Sequence, residues 1–157
     1  MITGDEKLSK SAEKFLPLLK NKLPDLQQYV KVVLPSTDNP YVTPNSIIIV
    51  IPARKGFLFE KLYIETRPND ILIEMGVARD MQYAWISSWN PEYIENVMLR
   101  ALQFIYDILN EKIIFVKRKA LFSSKEFYEY IQKKELRRKK RVIAVYSWKG
   151  TYDKKEE

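Results

Sequence analysis

Two strand-like runs, Phe57 to Thr66 and Ile71 to Val77, flank the turn-forming Arg67-Pro68-Asn69-Asp70, and this pattern commits the middle of the chain to an antiparallel hairpin. With Pro68 and Asn69 as the loop, residue 66 faces 71, 64 faces 73 and 62 faces 75. Alternation then sorts the side chains. Leu62, Ile64, Ile71, Ile73 and Met75 share a core face, while Lys61, Tyr63, Glu65, Leu72 and Glu74, with Phe57 and Phe59, share the other. That second face is either partly aromatic and exposed or covered by another element.

The hairpin sits in a longer series of short elements. Val30 to Leu34 and Ser46 to Ile51 read as strands separated by the turn-rich PSTDNPYVTPN, and Ala53 to Gly56 as a tight connection. The middle of the chain is therefore a β-meander. Upstream, Leu8, Ala12, Phe15, Leu16, Leu19 and Leu23 recur at helical spacing, with Pro17 expected to kink the segment or begin a second helix. Downstream, Asn90-Pro91-Glu92 supplies an N-cap, a first-turn proline and an acid. The stripe Ile94, Val97, Met98, Ala101, Leu102, Ile105, Ile108 and Leu109 that follows is that of a helix lying on a sheet. Ile113 to Lys117 reads as a strand, and Ser123 with Glu126 as a capping box before a short helix carrying Phe127, Tyr130 and Ile131. A last strand, Val142 to Trp148, precedes the polar KGTYDKKEE. These elements predict an α+β fold, an antiparallel β-meander with helices mainly on one face. A chain of 157 residues reads as a single domain, 1–157, with flexible ends at 1–4 and 150–157.

Zero cysteine and zero histidine close off disulfides, thiolate nucleophiles, imidazole proton transfer and most zinc sites. There is no Gly-rich phosphate loop and no GxSxG elbow. The N-terminal MITGDEKLSK lacks the pattern of a secretory signal, and no apolar run approaches the roughly 20 residues that span a bilayer, which predicts an intracellular, cytoplasmic protein without membrane contact. The remaining catalytic candidates are carboxylates. Glu65, Asp70 and Glu74 could serve a magnesium-dependent nuclease, with Glu65 and Glu74 on one strand face as metal ligands, and Glu60 and Asp80 nearby in sequence. Residues 70–74 also resemble the acidic half of a restriction-type nuclease motif, although Gly76 stands where a lysine is needed. The alternative is an exposed lattice of cross-strand charges, with no catalysis and no cofactor.

The net charge of +7 is concentrated. KKELRRKKR, Lys133 to Arg141, holds seven basic residues and one glutamate, leaving about +1 for the rest of the chain. Lys133, Lys134, Arg137, Arg138, Lys139, Lys140 and Arg141 suit phosphate contact or an acidic protein partner, or simply a solvated helix end. A second candidate surface is aromatic: Tyr83, Trp85 and Trp89 beside Arg79 and Asp80, with Trp148 and Tyr152 near the C-terminus. Trp85 and Trp89 equally suit a role as core plugs beneath the long helix.

The succession of meander, aromatic segment, the helix EYIENVMLRALQFIYDILNEKIIFV and the terminal SWKGTYD, over roughly residues 46–153, resembles small immunity-type proteins encoded beside polymorphic bacterial toxins. The resemblance implies a cytoplasmic binding protein that neutralises a cognate toxin by occluding or locking its active site. Immunity proteins against nucleases are often acidic, so a basic chain implies a toxin with an acidic surface or another role. Two expectations follow: a non-enzymatic protein-binding module, and a nucleic-acid-binding protein or magnesium-dependent nuclease.

Overall fold

The computed structural model describes residues 8–33, 43–77, 80–87 and 94–155; for 76, 77, 80–87 and 155 it describes the backbone alone. Helix α1 (Lys10–Lys22) opens at Ser9, whose hydroxyl accepts the Ala12 N–H at 3.2 Å. Pro17 is carried inside α1 and starts no second helix. It lies on the exposed side, opposite Ala12, Phe15 and Leu19, so the core-facing stripe continues past it. A 3-10 helix, Pro24–Tyr29, leads into the first sheet.

That sheet contains β1 (Val30–Val32), β2 (Ile47–Pro52), β3 (Lys61–Thr66), β4 (Asp70–Val77) and β5 (Asp80–Ser87), antiparallel and in sequence order. The expected register is observed: Thr66 opposite Ile71, Ile64 opposite Ile73, Leu62 opposite Met75. Leu62, Ile64, Ile71, Ile73 and Met75 are fully buried, with Ile47 and Ile49 of β2. Against them lie Ala12, Phe15 and Leu19 of α1 and the Ile94–Ile108 stripe of α2 (Ile94–Leu109). The Asn90-Pro91-Glu92 cap and most of the turn-rich segment before β2 lie outside the described residues.

The structure departs from the expected elements at residues 57–60 and after Ser123. Phe57 to Glu60 does not extend β3; bends after Gly56, whose φ is +81°, break the alternation. Phe57 and Phe59 consequently join the main core instead of the face of Tyr63 and Glu65. The segment expected as a short helix after Ser123 is instead strand β7 (Glu126–Gln132). The Ser123 hydroxyl accepts the Lys125 N–H at 3.2 Å, shaping a hairpin turn where a helix cap was expected, and EFYEYIQ is rich in residues that favour strands.

β7 belongs to a second antiparallel sheet with β6 (Ile113–Lys119), β8 (Val142–Tyr146) and β9 (Lys154–Lys155), in the order β7, β6, β8, β9. Residues 150–155, expected as a flexible end, turn back and pair with β8, Ala144 opposite Lys155 and Val145 opposite Lys154. One face of this sheet closes the main core through Phe115, which meets Phe57 and Phe59 edge-on at centroid distances of 5.9 and 5.0 Å. The other face carries a smaller cluster, Ile114, Val116, Ile131 and Val145, sealed by Leu136, Val142 and Tyr152. No helix among the described residues is long and apolar enough to cross a membrane.

Candidate functional site

Of the carboxylate candidates, Glu65 is engaged internally. Glu65 is 1% exposed. One of its oxygens accepts the Thr43 N–H at 3.1 Å, and the other accepts Arg67 Nη2 at 3.2 Å and, more weakly, the Tyr63 hydroxyl at 3.4 Å. Burial, and after it the adjacent Glu65, push the Tyr63 phenol up to about 12. Asp70 opens β4 with Oδ1 buried and without a hydrogen-bond partner among the described residues. Burial raises its carboxyl above the usual carboxylate value, opposed by Arg67 and aided by Glu65. Glu74 lies opposite Tyr63 in the ladder. Among the described residues no three acidic side chains are grouped to hold a metal ion.

The aromatic candidates fall in two regions. Tyr83 and Trp85 lie on β5, opposite Glu74 and Leu72, and Asp80 opens the same strand; Arg79 and Trp89 lie outside the described residues. Trp148 belongs to the turn closing the second sheet and is packed inward, 5.5 Å from Phe57 and 6.1 Å from Phe59 between centroids. The turn around it accounts for the chemistry of SWKGTYD. A Glu111 oxygen accepts the N–H groups of Lys149 (2.8 Å) and Thr151 (3.2 Å), and Asp153 Oδ1 accepts the Ser147 N–H at 2.8 Å. Arg54 pairs with the other Asp153 oxygen. Gly150, at φ +86°, lets the Arg54 guanidinium approach to within 3.0 Å of where a Cβ would stand.

The basic run is a 3-10 helix, Lys133–Arg138, and its exit into β8. Leu136 anchors it over the small cluster. Lys133 Nζ donates to the Tyr152 hydroxyl at 2.9 Å and lies over its ring at 4.3 Å, and Lys139 meets Glu129 at 3.5 Å. Lys134, Arg137, Arg138, Lys140 and Arg141 make no ion pair among the described residues.

The structure joins this run to the β6–β7 hairpin, a connection hidden in the sequence. The Lys119 N–H donates to the Arg141 carbonyl at 3.1 Å, and Arg118 Nε donates to the Lys140 carbonyl at 2.9 Å. Arg118 also pairs with Glu129 at 2.8 Å, and Lys117 with Glu126. Glu126 and Glu129 are thereby neutralised, while Lys119 and Lys125 make no ion pair among the described residues. At the hairpin tip Leu121 is 61% and Phe122 94% exposed, and Phe127, on β7, is also exposed, beneath the Arg118 guanidinium at 5.7 Å. Sequence reasoning passed over Leu121 and Phe122. Their signal was an apolar pair set in the polar KRKALFSSKE, too short for an element and too apolar for an ordinary loop. The result is a band that runs from the apolar hairpin tip, by way of Lys140 and Arg141, back along the 3-10 helix toward the start of β6; Lys119, Lys125, Lys134, Arg137, Arg138, Lys140 and Arg141 on it make no ion pair among the described residues.

No family model, curated protein or solved structure matches the chain.

Proposed function

We propose that the chain is a non-enzymatic binding protein that holds an anionic macromolecule against the hairpin end of its second sheet. The observation carrying this reading is the pairing pattern among the described residues: Glu126 and Glu129 are taken up by Lys117, Arg118 and Lys139, and Glu135 is left beside seven cations that make no ion pair there. A band of one sign leading to an exposed apolar tip suits electrostatic capture followed by desolvated contact. Against catalysis by the carboxylates, the oxygens of Glu65 are occupied by Arg67, Tyr63 and the backbone of Thr43.

The test is retention on a heparin column. Replacing Arg137, Arg138, Lys139 and Lys140 together by glutamine should lower the eluting salt concentration markedly, with an unchanged circular dichroism spectrum. Equal elution of the two proteins would refute the reading. A second form of it follows from the immunity-type resemblance: the partner is then a toxin domain with an acidic face, and Leu121, Phe122 and Phe127 are apolar anchors of the kind that concentrate binding energy at protein interfaces. Co-purification with the product of an adjacent toxin gene, lost on Phe122→Ala, would support that form.

A further inference from the structure

We infer that the partner is single-stranded nucleic acid, with phosphates on the cationic strip and a base stacked on Phe122. This rests on the reading of the hairpin end as the binding surface. Three observations direct it. First, Phe122 is 94% exposed at the tip of a two-stranded ribbon, so its ring has a face open to an incoming planar group. Second, the cations are not gathered behind that tip, as docking on a flat lipid surface would require. They continue along the 3-10 helix Lys133–Arg138 and the lead into β8, giving a strip that tracks a linear polyanion. Third, a second ring lies farther along the ribbon: Phe127 is on β7, opposite Arg118 and two residues after Lys125 in the chain.

Rings alternating with lysine and arginine meet the two repeating features of an unpaired strand, its π faces and its phosphates. A duplex hides the first of these, and an acidic polypeptide offers mainly carboxylates. Arg118 holds its guanidinium over Phe127 while its other contacts fix it to Glu129 and Lys140, so that stack is organised before any ligand arrives.

The experiment is fluorescence anisotropy of a labelled 20-residue oligothymidine titrated with the full chain between 50 and 300 mM salt, as an order-of-magnitude range over which phosphate contacts are lost. With about four phosphates engaged, the logarithmic salt slope should be about −3. Phe122→Ala should weaken binding about ten-fold or more at an unchanged slope, and Phe122→Trp should restore it. The glutamine variant of Arg137, Arg138, Lys139 and Lys140 should flatten the slope. A duplex of equal length should bind more weakly. The inference is overturned if Phe122→Ala binds as wild type, if duplex and single strand bind alike, or if polyglutamate or phosphatidylserine vesicles bind more tightly than the oligonucleotide. Heparin retention that still depends on the four cations, with no effect of Phe122→Ala on the oligonucleotide, would leave the proposed binding surface standing and remove the nucleic acid.

Discussion

Glu111 reaches across 38 residues of sequence to accept the Lys149 N–H at 2.8 Å, fastening the end of the long helix to the turn that closes the second sheet. Burial pushes its carboxyl up. Hydrogen bonds from Thr151, Ser147 and the backbone of Lys149 outweigh that effect and hold it below the usual value. A carboxyl lowered in the folded state contributes stability above its unfolded value, near 4.5, and loses it as pH falls through the folded one. Glu111→Ala should therefore destabilise by about 2–4 kcal/mol at pH 7. Chemical denaturation of wild type and Glu111→Gln should show a constant gap near neutrality that narrows below about pH 4.5.

Asp70 has the opposite sign. Its raised carboxyl contributes stability below its unfolded value of 3.8 and loses it as pH rises through the folded value, so the ionised form is unfavourable at neutral pH. Asp70→Asn should raise the melting temperature at pH 7, with the gain disappearing below pH 3.8, as thermal melts at the two pH values would register.

Much of the first sheet was legible because its signals are local. The Arg67–Asp70 turn and the alternation beside it fixed the Thr66–Ile71 register and the buried face, and the α2 stripe named its own core residues. The second sheet was less legible for a physical reason. Phe127, Tyr130 and Ile131 fit a helix or a strand over so short a span, and pairing with β6, a tertiary contact, decided between them. The candidate surface shows the same division. Lys133–Arg141 is plain in the sequence, but its junction with the hairpin depends on two backbone carbonyls, those of Lys140 and Arg141, which carry no side-chain signature.

Arg141 sits in the left-handed region at φ +59°, where glycine is at ease and a longer side chain is strained. Arg141→Gly should keep or raise the melting temperature, corresponding to a gain of up to about 1 kcal/mol, while reducing the salt slope of binding by about one contact. Calorimetry beside a salt titration would separate the two effects. A large loss of stability would show that the arginine side chain is structural.

Tyr63 offers an optical check on the closed sheet face. Its phenol, pushed up to about 12 by burial and by Glu65, should ionise well after an ordinary tyrosine. The difference between the ultraviolet titrations of wild type and Tyr63→Phe should contain one step near pH 12, and an ordinary step near pH 10 would place Tyr63 in water.

The small cluster beneath the 3-10 helix has a consequence for the free protein. Four buried side chains and the Leu136 anchor hold down a lid whose cations repel one another. Such a layer should open by local unfolding before the main core does, which amide exchange would register. Added salt screens the repulsion and should slow amide exchange in Lys133–Tyr146, even as the same salt loosens an anionic partner. On the proposed function, ionic strength acts on this surface in two opposing directions, keeping the empty lid shut and releasing the anionic partner.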